Sequence, residues 1–332
     1  MGNGGEFMLS RVAFNAFWIS RYVERAENMA RFIDVNLHLM LDLQVGEADQ
    51  WAPLVKVTGD RALFEEQYDE ATRENVIDFL TFDEGNPSSI LSCLRQAREN
   101  ARSIREVISS ELWQQANELY LMITSRAASR QAKTNPNEFY SLIKKGCTLF
   151  KGLSDATMTH GECWQFIRVG RMTERADKTS RMLDVKYFML LPQTTDVGTP
   201  YDNIQWAAVL KSASALEMYR IQYHRISPAS VAEFLILNRN FPRSMRFCVA
   251  TAESALHNIT GAPDGTYSNE AERRIGRLTS DLDFADIEEV LRGGLHEYLD
   301  GFQTKLNDVG DAIFETFFAM RAPSSRQKDM IQ

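Results

Sequence analysis

A chain of 332 residues can bury a sizeable core as one large domain or two ordinary ones, and its 44% hydrophobic and 25% charged content is that of an average globular protein. A formal net charge of −8 argues against the broad basic face that nucleic-acid binding needs, so no nucleic-acid partner is expected. The longest apolar runs, such as Tyr187 to Pro192, are far too short to span a bilayer, and no charged-then-apolar leader opens the chain. No membrane partner is expected either.

Residues 1–7 read as an expression scar, because a second methionine, Met8, begins the amphipathic pattern. From there the chain carries helical periodicity with little β-branched alternation. In the first half, helices are expected at 9–44, 51–68, 87–109, 111–131 and 137–151. In the second half they are expected at 157–191, 203–225, 228–238, 242–260, 268–282 and 284–320. Breakers separate them at Gly85-Asn86-Pro87, Asn135-Pro136, Pro192, Gly198-Thr199-Pro200 and Gly261-Ala262-Pro263. Residues 322–332 read as a disordered tail. Cys93, Cys147, Cys163 and Cys248 are widely spaced with no Cys-x-x-Cys pair, which fits a reducing cytoplasm and thiols used as small apolar residues.

The pattern is read twice. At an offset of 150, Arg21-Tyr-Val-Glu-Arg-Ala-Glu lies over Arg171-Met-Thr-Glu-Arg-Ala-Asp, with identities at Arg21/Arg171, Glu24/Glu174, Arg25/Arg175, Ala26/Ala176, Arg31/Arg181, Asp34/Asp184 and Val35/Val185. At an offset of 155 the match continues through Trp51/Trp206, Tyr68/Tyr223, Phe79/Phe234, Pro87/Pro242, Ser89/Ser244 and Cys93/Cys248. Beyond about residue 100 the two copies drift apart. Two copies are too few for a solenoid. The expected fold is therefore an all-α helical bundle formed by tandem duplication, with residues 8–151 as one repeat packed on residues 152–321 about a pseudo-two-fold axis. Both prolines are expected at helix starts.

On a helical wheel over residues 14–40, Phe14, Trp18, Met29, Phe32 and Leu39 share one arc, the expected core face. Arg21 and Arg25 fall within it, Glu24 and Arg31 sit off its edge, and Glu27 and Asp34 point to the far side. Glu27 and Arg31 have the spacing of a surface pair. The second copy repeats the layout with Trp164, Met182 and Met189 beside Arg171 and Arg175, and carries Arg181 where the first has Arg31. An arginine on an apolar arc is costly unless a carboxylate or phosphate meets it, and Glu24 and Glu174 are the natural partners. Two readings stay open: a buried ion-pair network that fixes how the copies register, or a polar cleft holding an anionic ligand. Arg98, Arg102 and Arg105 form a basic stripe. It is either a solvated face or an anion-contacting wall beside Arg243.

Other chemistry has little support. His160-x-Glu162 is half of a zinc-deaminase signature without its Pro-Cys-x-x-Cys half, and no other metal spacing occurs, so no metal is expected. Phosphate-cradling glycine loops are missing too, and no cofactor is expected. No local context marks a nucleophile.

Met8-Leu-Ser-Arg-Val-Ala, Trp18-Ile-Ser-Arg-Tyr-Val-Glu24-Arg25-Ala-Glu27-Asn28, Asn86-Pro-Ser-Ser-Ile, Ala97-Arg-Glu-Asn-Ala-Arg-Ser-Ile-Arg, Thr157-Met158, the Glu174-Arg175-Ala-Asp run and Phe241-Pro-Arg-Ser together resemble the bacterial alpha-E family over about 8–320. The resemblance implies an α-helical protein encoded beside, or fused to, a circularly permuted ATP-grasp protein, often with a transglutaminase-like protein nearby. The expected role is that of an accessory subunit for an ATP-grasp-type amide (peptide) ligase, offering a Glu/Arg-lined cleft. Alternatives are a stand-alone enzyme with Glu24 or Glu174 as general base, and a purely structural scaffold. A homo-oligomer is left open.

Overall fold

The computed structural model describes residues 10–42, 47–189, 200–263 and 265–319. The expected scar and tail lie outside these residues. Among the described residues the chain is helical and contains no strand.

Two long helices form the axis of the fold, α1 (Ser10–Asp42) and α9 (Glu162–Met189). They run side by side in the same direction: Arg21 and Arg25 meet Glu174 near their middles, and Phe32 and Leu39 lie beside Met182 and Val185 further on. Against α1 pack α5 (Ile90–Ser103) and α8 (Pro136–Thr157), with α6 (Ser110–Ile123) closing a group of four helices. Against α9 pack α13 (Met245–Thr260) and α16 (Leu295–Ile313), closed in the same way by α14 (Glu270–Asp283). The remaining helices of the first half are α2 (Glu47–Thr58), α3 (Arg61–Glu65), α4 (Arg73–Thr81) and α7 (Ala128–Thr134). Those of the second are α10 (Pro200–Ser212), α11 (Leu216–Gln222), α12 (Pro228–Leu237) and α15 (Ile287–Gly293). A single π-helical turn, Phe314–Phe318, ends the described chain. One continuous apolar core runs through both groups.

Several expectations shift. The helix expected over 51–68 is α2 and α3, separated where Gly59 takes a positive φ of 82°. Similarly, 203–225 is α10 and α11, separated at Ser214 with φ 51°, and 111–131 divides into α6 and α7. Helix α4 was not expected. It is nine residues long and opens on the polar Arg73-Glu-Asn, so its apolar period is short, but Thr72 caps it by accepting from the Asn75 amide. The prolines at 87 and 242 do not start helices. They sit in the preceding turns, while Ser89 and Ser244 cap α5 and α13 through bonds from the Ser92 and Phe247 amides. The boundary expected at 151/152 falls inside α8, and the break between α8 and α9 lies at 158–161.

The wheel also misplaces α1. Ala16, Ile19, Val23, Ala26, Ala30 and Ile33, off the expected arc, are all fully buried. With α5, α8 and α9 all packed on it, α1 is covered on nearly every side, so a single core face is the wrong template.

Close approach of the two axial helices depends on Gly170. A Cβ at that position would lie 2.2 Å from the Phe17 carbonyl oxygen and 2.5 Å from Ser20 Oγ. Gly170→Ala is therefore expected to lower unfolding free energy by about 1–3 kcal/mol in urea titrations. Gly152→Ala, in α8 with nothing within 4 Å of the new methyl group, should instead add about 0.5–1 kcal/mol.

Candidate functional site

The two Glu-Arg pairs meet at the centre of the α1–α9 contact, and they exchange partners. Glu24 of α1 receives both arms of the Arg175 fork, Nε to Oε1 and Nη2 to Oε2, each at 2.9 Å. Glu174 of α9 receives the Arg25 fork, Nε to Oε1 at 2.7 Å and Nη2 to Oε2 at 3.0 Å. Such bidentate pairs fix orientation as well as distance. Both glutamates are 0% exposed.

Further cations close on each carboxylate. Arg243, from the Phe-Pro-Arg-Ser turn ahead of α13, donates to Glu24 Oε1 at 2.9 Å, to Glu27 Oε1 at 2.8 Å and to Asn28 Oδ1 at 3.0 Å. Lys151 of α8 reaches Glu24 Oε2 at 2.8 Å and also bonds Glu27. Arg31 holds Glu27 from one turn further on. On the other side, Arg21 donates to Glu174 Oε2 at 2.8 Å, Lys178 lies 3.1 Å from Asp177, and Arg181 binds Asp177 at 2.9 Å. Eight cations thus converge on Glu24, Glu27, Glu174 and Asp177.

Charge states follow from the geometry. Burial alone would raise the Glu24 pKa, but Arg175, Lys151 and Arg243 outweigh it and hold the carboxyl well below its usual range. Glu174 is opposed by burial and lowered by Arg25, Arg21 and Lys178, and Glu27 and Asp177 are also held low against burial by the cations around them. The cations bear part of the cost: burial lowers the pKa of Lys151 and of Arg243, against the pull of Glu24. Arg171 has the weakest partner. It is 9% exposed, meets Asp155 only at 3.6 Å, and its Nε makes no hydrogen bond. Burial depresses its pKa, and Asp155 counters.

This arrangement corrects the wheel. The arginines were expected on the core face, with Glu24 at its edge and Glu27 beyond, whereas Glu24 and Glu27 lie deepest and Arg21 and Arg25 keep 20% and 16% of their side chains exposed. Length is the reason: a guanidinium on three methylenes reaches a central carboxylate from the rim while its outer edge stays wet. Of the expected site residues, Arg21, Arg25, Arg31, Arg175, Arg181 and Arg243 gather on the four carboxylates, and Arg171 sits at their margin. Arg98 and Arg102 do not join them. Arg98 binds Asn117 and Glu99 over the Tyr120 ring, and Arg102 pairs with Glu99 at 62% exposure. Lys151 and Lys178 were missed altogether. Lys178 could have been found beside Asp177 in the motif, but nothing in the sequence sets Lys151 apart from its neighbours in α8.

The thiols take no part in ion chemistry. All four are free and buried, and burial pushes Cys93 and Cys248 up to about 12. Among the described residues, no group of three or more His, Cys, Asp or Glu side chains is placed to hold a metal ion, and no helix is long and apolar enough to cross a membrane.

Fold and site define an all-α protein whose two axial helices are locked by an exchanged pair of Glu-Arg dipeptides. The chain belongs to the Alpha-E family, described as a predicted alpha-helical domain with a conserved ER motif, whose family model matches residues 8–318. Glu-Arg occurs at 24–25, 174–175 and 272–273. The first two meet across the helix pair, and Glu272 bonds locally to Ser268 and Thr260. The chain is similar to Uncharacterized protein Mb2597 of Mycobacterium bovis and Uncharacterized protein Rv2567 of Mycobacterium tuberculosis, with 23% identity over 335 residues in each case. Those alignments cover 93% of this chain but 37% of each relative, so the chain spans little more than a third of the length of the curated relatives it matches. No solved structure matches the chain.

Removing one charge from this cluster leaves buried, unpaired partners. Glu24→Gln is expected to cost about 3–5 kcal/mol of stability by urea denaturation. Acid should act in the same direction. A carboxylate whose folded pKa is depressed adds stability above its unfolded pKa, near 4.5, and loses it as pH falls toward the folded value. Stability should therefore hold from neutral pH to about 5 and then fall, by at most about 1.4 kcal/mol per pH unit for each carboxylate that takes up a proton. Urea midpoints measured between pH 7 and pH 3 would show this, and a flat profile would contradict it.

Proposed function

We propose that this chain is a non-catalytic interaction module, built from two copies of one helical unit, that serves an ATP-grasp-type amide (peptide) ligase as an accessory subunit in the cytoplasm. One observation carries the non-catalytic part. Glu24 and Glu174 are sealed from solvent, saturated with cations and held in their charged forms. A general base must reach its substrate and be able to take a proton near neutral pH. These glutamates offer neither, so the reading as a stand-alone enzyme with glutamate as base loses its candidates, and the motif becomes the device that locks two halves together.

Duplication about a pseudo-two-fold axis is supported by paired details outside the motif. Gly59 and Ser214, 155 residues apart, both adopt positive φ at the same kind of helix break. Phe64, Tyr68 and Phe79 form a stacked and edge-on ring cluster, and Tyr219, Tyr223 and Phe234 form another, with stacked centroids at 5.0 and 4.9 Å. In each cluster the second ring of the stack, Tyr68 or Tyr223, donates its hydroxyl to a carboxylate, Asp78 or Glu233. Cys93 and Cys248 both bond the carbonyl of the proline six residues before them.

The ligase as partner rests on the family resemblance, and a transglutaminase-like protein is a further candidate from the same source. Two copies of a rigid unit joined through a dry ionic seam suit an accessory role, since they present fixed outer surfaces to a partner. Reconstitution with an ATP-grasp ligase encoded beside it tests the reading. ATP turnover and a mass-spectrometric amide product are expected in the complex and not with this chain alone. Activity per folded complex should be unchanged in Glu24→Gln and Glu174→Gln. A well-folded variant that binds the ligase but has lost turnover would overturn the non-catalytic role, and failure of the two proteins to co-purify would overturn the partnership.

A further inference from the structure

The two sides of the ionic seam are closed differently. Beside α8, the Lys151 side chain fills the space next to Glu24 and Glu27. Beside α16, no ion pair among the described residues joins that helix to Glu174 or Asp177, and a cavity of about 300 Å³ opens instead. Its wall on α1 is Phe17, Trp18 and Arg21, its floor on α9 includes Asp177, and α16 contributes Asn307, Gly310 and Asp311. Phe314 and Phe318 of the π turn complete an aromatic side. π-helical turns recur at functional sites.

Three polar groups at this cavity are uncommitted. Arg21 spends Nε and Nη2 on Glu174, and its Nη1 makes no hydrogen bond among the described residues. Neither the Asn307 amide nor the Asp311 carboxylate has a side-chain partner there, and both are exposed. A guanidinium on one helix and an uncommitted carboxylate on another thus line the same cavity, with aromatic rings beside them. A ligand with only a negative charge would meet Asp311 and Asp177, and one with only a positive charge would meet Arg21. A neutral zwitterion satisfies both walls. The volume lies at the lower end of ligand pockets, which suits a single small molecule with an apolar part.

We propose that this cavity binds a free α-amino acid with a large apolar side chain, its carboxylate on Arg21 and Asn307, its ammonium on Asp311, and its side chain against the Phe17–Trp18–Phe314–Phe318 wall. The proposal does not depend on the partnership proposed above.

Isothermal titration calorimetry with the full chain tests it, using L-phenylalanine and L-leucine against N-acetyl-L-phenylalanine and L-phenylalaninamide. The free amino acids should bind with one saturable site, and each blocked derivative roughly tenfold more weakly, having lost one charge-assisted contact. Two variants leave the seam untouched. Gly310→Leu fills the cavity from a position where an added Cβ meets nothing within 4 Å, and should abolish binding. Asp311→Asn should weaken the free amino acids roughly tenfold while leaving the already weak N-acetyl derivative unchanged. Unaltered helical circular dichroism and melting temperature would show that both variants fold. No saturable binding by the wild-type chain up to roughly 10 mM overturns the proposal. So does equal affinity for the blocked derivatives, or binding that survives Gly310→Leu.

Discussion

Two fully buried carboxylates, each paired with an arginine on the opposite axial helix, constrain everything around them. Taking a carboxylate out of water costs several kcal/mol unless the site returns the lost interactions with good geometry. Here the two-pronged bonds come from the opposite axial helix, and Lys178 of α9 adds only a longer contact to Glu174 at 3.8 Å. Glu24 is met from α9 by Arg175, from α8 by Lys151 and from the turn before α13 by Arg243, and Glu174 is met from α1 by Arg21 and Arg25. Neither helix group supplies the arginine fork for its own glutamate, so each half needs the other. Gly170 is part of the same constraint, because the carboxylates and forks meet only if the backbones approach as closely as its missing side chain permits.

A seam of this kind gives more specificity than stability. Hydrophobic residues of the same volume would hold two helices together without the desolvation cost, but they would tolerate sliding. An exchanged pair of two-pronged bonds tolerates none: a shift of one residue would separate both forks from both glutamates. The surplus of cations is tolerable because those on the outside keep an edge in water, from 16% exposure at Arg25 to 28% at Arg181. Arg171 shows where that tolerance is most stretched. Its counterpart position, Arg21, holds Glu174, whereas Lys151 and Arg243 already occupy the Glu24 oxygens and leave Arg171 a distant, half-exposed Asp155.

Much of this could be read from the amino acids, and the failures share a cause. The all-helical class follows from long 3.6-residue periodicity, and the axial helices were nearly correct in extent because they are long and uninterrupted. The pairing of Glu24 with Arg175 and Glu174 with Arg25 was within reach, since arginine among apolar residues demands an acid and the motif supplies one. The depth of each group was not. A wheel assigns one face to the core, and α1 has no solvent face over most of its length. The break at Ser214 was illegible because a serine in a left-handed conformation has no local signature, unlike Gly59. Helix α4 could have been recovered by aligning Val76, Phe79 and Leu80 with Val231, Phe234 and Leu235 of the recognised α12. Lys151 was invisible because its role depends on which way α8 lies across α1, a tertiary fact that no local pattern encodes.

The seam also bears on where chemistry can occur. Its interior is committed: every carboxylate oxygen there has a cation, and the four cysteine thiols lie buried in the packing with none able to ionise near neutral pH. Arg21 belongs both to this seam and to its rim. Two of its nitrogens hold Glu174, the third makes no hydrogen bond among the described residues, and the side chain lines the cavity under α16. Anything that draws on that third nitrogen acts on a residue that ties α1 to α9, and by linkage whatever loosens the helix pair weakens the contact in the cavity to the same extent. The rigid centre and the open rim are therefore one system, in which an arginine that ties the axial helices together also keeps an edge in solvent.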